Sequence, residues 1–178
     1  MKQVPLVFVF VSGKRKRDSR RVLRTLKQLA PTLNPAATVM DFEAAMWRAA
    51  TAAVFTQTRL FGCDFHWTQA VWSEVQELGL QASYRDNDAT QRLCRKVVAL
   101  PFLPPDNVTI IGRTLASVTD TRLQALCQYV NSTCRLESSI WNVTAVSVFN
   151  RHIRTNDDLE GIYAVSYTHL TLPTILRV

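Results

Sequence analysis

Residues 37–47, ATVMDFEAAMW, change at Asp41 from a short apolar run to a helical pattern. The run predicts a strand from about Ala37 to Met40, and a helix from Phe42 to about Val54 follows at once. A further strand is predicted from about Arg59 to Cys63. Strand, helix and strand in this order are typical of a βαβ unit with a parallel sheet.

The residues upstream extend this alternation. Val4 to Val11 are apolar almost throughout, which predicts a strand buried on both faces of a sheet. Ser12-Gly13 ends it, Lys14–Arg17 is expected to form an exposed turn, and an amphipathic helix is predicted from Asp18, with Asp18 or Ser19 as its cap. The apolar face of that helix consists of Val22, Leu23, Leu26 and Leu29.

The rest of the chain is predicted to be mainly helical. A helix is expected from Trp67 to Leu78, stopped by Gly79, with Trp67 and Trp72 in the core. Residues 88–133 have a helical pattern broken at Pro101, Pro104-Pro105 and Gly112. We therefore expect an α/β portion over residues 1–82, a helical insertion over 83–150 and the start of a final acidic helix over 151–164.

The positive charge is concentrated at one end of the chain. The 178 residues carry 21 Lys and Arg against 14 Asp and Glu, a net charge of +7. Residues 1–30 hold nine of the bases and one acid, so the remaining 12 bases and 13 acids nearly cancel. This favours contact with a polyanion, a nuclear localisation signal or a solvated helix face. The candidate residues are Lys14, Arg15, Lys16, Arg17, Arg20, Arg21 and Arg24.

Cysteine usage and hydropathy favour an intracellular protein. The four cysteines are irregularly spaced with no CxxC pair, which is typical of reduced thiols. Three Asn-x-Ser/Thr sequons and an apolar start would suit a secreted chain, but the apolar run is shorter than a signal peptide requires. No stretch approaches the roughly 20 apolar residues of a membrane span. We therefore interpret the sequons as chance matches and expect no membrane contact.

Asp41 is the first candidate for chemistry, because α/β proteins place ligands at the carboxyl ends of their strands. A carboxylate at that position can bind Mg²⁺, and the alternative is that Asp41 only caps the following helix. Cys63 and His66 form a CxxH motif that could be half of a zinc site. The other half is missing from the sequence, so a buried Cys with a hydrogen-bonded His is the alternative.

A second acidic stretch, RTNDDLEG at 154–161, lies near the end of the chain. Thr155 or Asn156 could cap a helix whose first turn is acidic, an arrangement that the helix dipole favours. The functional alternative is that Glu160 projects toward Asp41 and completes a metal site. Phosphoryl transfer with two metal ions needs a further carboxylate, which we expect from a neighbouring strand.

Five blocks of sequence, taken in order, resemble the transposase domain of Mutator-like elements (MULE). The similarity runs over roughly residues 3–161. The blocks are Met40-Asp-Phe-Glu-Ala-Ala-Met-Trp47, Gly62-Cys-Asp-Phe-His-Trp-Thr-Gln-Ala-Val-Trp72, Gln76-Glu-Leu-Gly-Leu80, Ala99-Leu-Pro-Phe-Leu-Pro104 and Arg154-Thr-Asn-Asp-Asp-Leu-Glu-Gly161.

The resemblance implies a ribonuclease-H-like fold with a helical insertion before the final acidic helix. It also implies a DDE active site that cuts and rejoins DNA with Mg²⁺ or Mn²⁺ in the nucleus. Asp41 would be the second catalytic Asp and Glu160 the catalytic Glu, both as metal ligands, and Cys63 and His66 would be the family's CxxH. Transposon ends and target DNA would be the partners, together with a second copy of the protein.

The chain also departs from the family pattern at both ends. The strand that carries the family's first catalytic Asp would precede Met1, and Ile162-Tyr163 replace the family's aromatic residue and His after Glu-Gly. Residues 165–178 begin with ten that resemble one reading frame of a sequencing-library adapter, and we expect them to be an artefactual tail. We therefore expect a fragment that is inactive by itself. The alternative is a host protein derived from a transposase, which binds DNA or protein without catalysis.

Overall fold

The computed structural model describes residues 7–13, 15–53, 57–108, 118–133 and 140–156. It is a mixed α/β structure in which helices predominate. The chain divides into two compact units, the first formed by residues 1–60 and 155–178 and the second by residues 61–154. No helix in the described ranges is long and apolar enough to cross a membrane.

The predicted βαβ pattern is confirmed around residue 41. Strands β1 (Ala37–Met40) and β2 (Arg59–Gly62) form a parallel two-stranded sheet, and helix α2 (Ala44–Ala53) lies between them in the chain. The Arg59 amide donates to the carbonyl of Ala36 over 3.1 Å, just before β1. The expected α/β class is therefore correct, while the ribonuclease-H-like arrangement stays a prediction.

The predicted first strand is wrong for the part that the structure describes. Residues 7–11 contain a single bridge at Phe10 rather than a strand, and Val7, Phe10 and Val11 are each nearly half exposed. A strand buried on both faces needs sheet neighbours and covering helices, and the described sheet has two strands only. The rest of the predicted strand, residues 4–6, lies outside the described ranges.

Helix α1 (Lys16–Leu29) begins two residues earlier than the sequence predicts. Asp18 is not its N-cap but lies in its first turn, where the carboxylate accepts the amide N–H of Arg15 over 3.1 Å. A Cβ added at Gly13 would lie 2.9 Å from Oδ2 of the same carboxylate, so a larger residue there would have to displace the Asp18 side chain. One carboxylate therefore fixes the entry of the chain into α1.

Helices α1 and α2 pack against each other to form the core of the first unit. Helix α1 buries Val22 and Leu23, whereas Leu29, expected on the same face, is 63% exposed at the helix end. Helix α2 buries Trp47 together with the small side chains of Ala49 and Ala50.

The second unit begins with the last two residues of β2, Phe61 and Gly62, and its other described elements are helices. Helices α3 (Asp64–Glu77), α5 (Asp88–Val98) and α6 (Thr121–Thr133) pack against one another, and α4 (Gln81–Asp86) packs against α5. A 3-10 turn (Leu100–Phe102) and the short helix α7 (Val143–Val146) also belong to this unit. The shared core contains Trp67, Val71, Val75, Cys94, Val97, Leu126, Cys127 and Val130.

The two tryptophans of α3 have different environments. Trp67 is buried as predicted, and its indole N–H donates to the carbonyl of Val97 over 3.2 Å. Trp72 is 37% exposed and contacts the edge of Tyr84, with the ring centroids 5.1 Å apart. The prediction of a core position for Trp72 is therefore wrong, because Trp72 follows Val71 and so points away from the buried face of α3.

Turn and cap residues set the ends of these helices. Gly79 stops α3 as predicted, with a positive φ of 65°. The helix starts at Asp64 rather than at the expected Trp67, directly after Cys63. Asn87 caps α5 by accepting the amide N–H groups of Ala89 and Thr90. The expected break at Gly112 lies outside the described residues.

Residues 147–154 are anchored within the second unit. The Val148 amide donates to the Pro101 carbonyl over 2.7 Å, and the Ser147 hydroxyl donates to the Leu103 carbonyl over 2.7 Å. The guanidinium of Arg151 lies 3.0 Å from the ring centroid of Phe61. This stretch therefore has a defined path up to Arg154.

Candidate functional site

A pocket of about 270 Å³ lies at the carboxyl end of β1, within the first unit. Its apolar wall comes from three elements: Leu23 of α1, Met40 of β1, and Met46 and Ala50 of α2. Its polar lining consists of Thr38, Asp41, Glu43 and Asn156. The pocket therefore combines two carboxylates and an amide with an apolar floor, as ligand sites in α/β proteins do.

The main chain at Asp41 is held by α2. Its carbonyl oxygen accepts the indole N–H of Trp47 over 2.6 Å and the amide N–H of Glu43 over 2.7 Å. The Phe42 ring stacks on Trp47 with 6.4 Å between the centroids. Because Trp47 is buried, these contacts tie the end of β1 to the core of the unit.

Asp41 does not occupy the cap position of α2. The helix begins at Ala44, and the Glu43 carbonyl accepts its first hydrogen bond, from the Trp47 amide over 3.1 Å. Glu43 is therefore the N-cap residue, and Asp41 lies two residues further upstream. Asp41 is therefore not the N-cap of the helix that follows it, which was the alternative to a role in binding a metal.

The Asp41 carboxylate instead accepts a hydrogen bond from a residue 115 positions away. The amide Nδ2 of Asn156 donates to Oδ1 of Asp41 over 2.9 Å. The other end of that amide, Oδ1, is buried and has no hydrogen-bond partner among the described residues. A charge-assisted bond of this kind fixes the direction of the carboxylate more strongly than a neutral one would.

Glu160, the other predicted catalytic carboxylate, lies outside the described residues, which end at Asn156. Asn156 precedes it by four positions, and through Asn156 the start of this acidic stretch reaches Asp41. The predicted pairing of Asp41 with Glu160 stays a prediction, as does the cap proposed for Thr155 or Asn156.

The CxxH residues belong to the second unit. Cys63 is fully buried at the end of β2, and His66 lies in the first turn of α3. The His66 ring meets the edge of Phe65, with the centroids 5.4 Å apart. The burial of Cys63 agrees with one part of the alternative interpretation, a buried Cys with a hydrogen-bonded His. The zinc interpretation and the family role stay predictions.

Asp64, inside the CxxH motif, is a carboxylate that the sequence did not single out. Its backbone N–H donates to the Arg154 carbonyl over 3.0 Å, and its side-chain Oδ1 is buried with no hydrogen-bond partner in the described ranges. Burial raises the pKa of this carboxyl, and the positive charge of Arg154 opposes that rise. The environment of Asp64 therefore favours its neutral form more than water does.

The predicted basic residues of α1 lie on one helix face. Arg17, Arg20, Arg21 and Arg24 follow the i, i+3, i+4, i+7 spacing, and the buried Val22 and Leu23 point elsewhere. Arg17 forms an ion pair with Asp18 over 3.6 Å, but its side chain is 76% exposed, so the pair contributes little. Arg15 and Lys16 are exposed beside this face, and Lys14 lies outside the described residues.

Sequence reasoning missed Glu43 and the contact made by Asn156. The spacing Asp41-Phe-Glu43 at the end of a strand was a local signal that could have added Glu43 to the pocket. No local signal could have paired Asn156 with Asp41, since 115 residues separate them.

Comparison of the chain with protein-family models, with curated proteins and with solved structures finds no match. Function is therefore inferred from the geometry of this chain and from the residue blocks quoted above.

Proposed function

We propose that this chain is part of the catalytic domain of a DDE transposase of the Mutator-like type, which cuts and rejoins DNA. The observation that carries the proposal is the hydrogen bond between Asn156 and Asp41 in the pocket at the end of β1. It supports the proposed pairing because it brings the segment that leads to Glu160 to the carboxylate at the strand end. A chance sequence similarity would not require these two blocks to meet.

The donor groups of the pocket fit a hard divalent cation. Asp41, Glu43 and Asn156 offer carboxylate and amide oxygens, which suit Mg²⁺ and Mn²⁺ better than softer metals. In this proposal Asp41 and Glu160 hold the cation. In two-metal phosphoryl transfer, one such cation would activate the attacking oxygen and a second would stabilise the leaving oxygen.

The residues of the chain would orient this chemistry. The Trp47 and Glu43 contacts hold the main chain of Asp41, and the Asn156 amide sets the direction of its carboxylate. The apolar wall formed by Leu23, Met40 and Met46 would exclude water from one side of the carboxylate.

The basic face of α1 supports DNA as the partner. Four arginines on one face of a helix provide contacts to phosphates that do not depend on base sequence. Such contacts position a duplex without choosing a site on it. A nuclear location for the protein follows from this proposal.

The proposal is tested by replacing Asp41 with Asn in a longer parent protein that also carries an upstream catalytic aspartate. We expect Mg²⁺-dependent strand transfer to be lost, while the circular dichroism spectrum and DNA affinity stay unchanged. Asp86→Asn, at an exposed position of α4, makes the same chemical change and should keep full activity. Strand transfer by Asp41→Asn at the wild-type rate would contradict the proposal.

A second candidate is a transposase-derived protein that binds DNA without catalysis. The arginine face of α1 favours it, since that surface does not involve the pocket carboxylates. The same assay distinguishes the two candidates. DNA binding without metal-dependent cleavage or strand transfer in the parent would support this second function over the first.

A further inference from the structure

We infer that Asn156 is an oxygen ligand for a divalent cation bound beside Asp41, and that its amide turns over when the cation binds. The resemblance assigns Glu160 as the partner of Asp41 and gives no role to Asn156. The inference deepens the proposed function, on which it rests for the identity of the site, and its test uses no DNA.

The distance between the two side chains is the first argument. Octahedral Mg²⁺ holds its ligands at 2.0–2.1 Å, so neighbouring ligand atoms are about 2.9 Å apart. The amide Nδ2 of Asn156 lies 2.9 Å from Oδ1 of Asp41. Rotating the amide by half a turn would place its oxygen where the nitrogen now lies, because the two ends of an asparagine amide are nearly the same in shape. Two oxygens would then have the separation of neighbouring ligands.

The surroundings of the amide are the second argument. Its Oδ1 is buried and accepts no hydrogen bond from any described residue. The amide is therefore held at one end only, by the Asp41 carboxylate, which without a cation requires a donor. With a cation beside the carboxylate, the preferred neighbour becomes an oxygen. The presence or absence of a cation beside Asp41 therefore determines whether the oxygen or the nitrogen of the Asn156 amide faces the carboxylate.

The pocket supplies the remaining requirements of a Mg²⁺ site. Mg²⁺ usually takes one or two protein carboxylates and keeps several waters. A volume of about 270 Å³ accommodates a cation with such waters, and Glu43 adds a second negative charge to the lining. Asp41 and Asn156 then contribute two protein oxygens, and waters or a phosphate can complete the shell.

The experiment is a Mn²⁺ titration of the 178-residue chain followed by electron paramagnetic resonance, without DNA. Asn156→Ala should weaken Mn²⁺ binding by about tenfold or more. The Asn156→Asp variant distinguishes a role of Asn156 as a metal ligand from a role as a hydrogen-bond donor only. It keeps an oxygen and adds a charge, so the ligand role predicts binding at least as tight as wild type. A donor role predicts loss, because a carboxylate cannot donate to Asp41.

Thermal unfolding supplies a second readout that does not depend on spectroscopy. Asn156→Asp places two carboxylates together, so without metal it should melt below wild type. Mn²⁺ should raise its melting temperature by more than it raises that of wild type. Asp86→Asn, which removes a charge from an exposed position of α4 outside the pocket, should leave Mn²⁺ binding unchanged.

Loss of Mn²⁺ binding in Asn156→Asp to the level of Asn156→Ala would overturn the inference. An equal loss in Asp86→Asn would also overturn it, because the cation would then respond to the overall charge of the chain and not to the oxygens of the pocket. If Mn²⁺ binds as expected and the parent protein shows no DNA strand transfer, the proposed function fails and the cation site stands. If strand transfer is seen and Asn156→Ala binds Mn²⁺ like wild type, the inference fails alone.

Discussion

At the scale of single residues, Asp41 is held by separate contacts on its main chain and on its side chain. Its carbonyl accepts N–H groups from Trp47 and Glu43, and its carboxylate accepts the amide of Asn156. The backbone contacts come from Glu43 and Trp47 at the start of α2, while the contact of Asn156 with the carboxylate comes from a distant segment. Removing Asn156 should therefore change the carboxylate and leave the strand end in place.

Asp64 gives a pH-dependent prediction at the same scale. Burial raises its pKa in the folded protein, so the folded state binds a proton more readily than the unfolded state. This group therefore costs stability once the pH exceeds its folded pKa, and the cost disappears as the pH falls below its unfolded pKa. Asp64→Asn should melt at a higher temperature than wild type at pH 7.

The gain for Asp64→Asn should shrink as the pH is lowered toward 3, where both proteins carry a neutral group. Thermal unfolding monitored by circular dichroism across this range measures the difference. Lower stability of the variant at pH 7, with a deficit that shrinks as the pH falls, would show that the attraction of Arg154 outweighs the burial of the carboxyl.

At the scale of helices and strands, short-range signals decide where elements stop. Gly79 ends α3 in the left-handed region, and Asn87 caps α5. The carboxylate of Asp18 fixes the start of α1 by accepting the amide N–H of Arg15. Each of these ends depends on one side chain or on the absence of one.

Gly79→Ala tests this dependence. An added Cβ would meet no atom within 4 Å, so the cost is that of the backbone conformation alone, about 1 kcal/mol. Gly79→Asn should cost less, because asparagine tolerates this conformation better. Urea unfolding of the two variants gives the free energies, and equal losses would contradict the assignment of the cost to φ.

At the scale of the molecule, the chain has two units with different compositions. The first contains β1, the start of β2, the pocket and the basic face, while the second has a helical core around α3, α5 and α6. Most of the net charge belongs to the first 30 residues and hence to the first unit. DNA affinity should therefore depend on the arginines of α1 and not on those elsewhere.

Arg21→Gln with Arg24→Gln should lower the slope of log K against log salt by about 2, since each lost phosphate contact removes about 0.9. The matched control is Arg92→Gln with Arg95→Gln, which removes two exposed arginines at the same spacing from α5. Fluorescence anisotropy with a labelled duplex at several salt concentrations measures both slopes. Equal changes in the two double variants would contradict a specific role for α1.

The sequence predicted the parts of the fold that local patterns control. Strands β1 and β2, the helix between them and the stop at Gly79 each follow from a few adjacent residues. The start of α1 was misplaced because Asp18 can cap a helix from inside its first turn as well as from its N-cap.

What the sequence did not predict depends on residues far apart in the chain. The exposure of Phe10 depends on which strands pair, which its own apolar run does not reveal. The contact of Asn156 with Asp41 needs the folded first unit. The candidate site was therefore predicted at Asp41 and missed at Asn156 and Glu43.

The central claim is that the Asp41 pocket holds a divalent cation next to bound DNA, and iron-mediated cleavage tests it directly. Fe²⁺ occupies oxygen sites built for Mn²⁺ or Mg²⁺, and with ascorbate and peroxide it generates hydroxyl radicals that cut nearby chains. We expect wild type to be cut near residue 41, and a bound duplex to be cut as well. Asp41→Asn should bind the duplex but cut neither chain. Unchanged cutting of protein and DNA by Asp41→Asn would contradict the account.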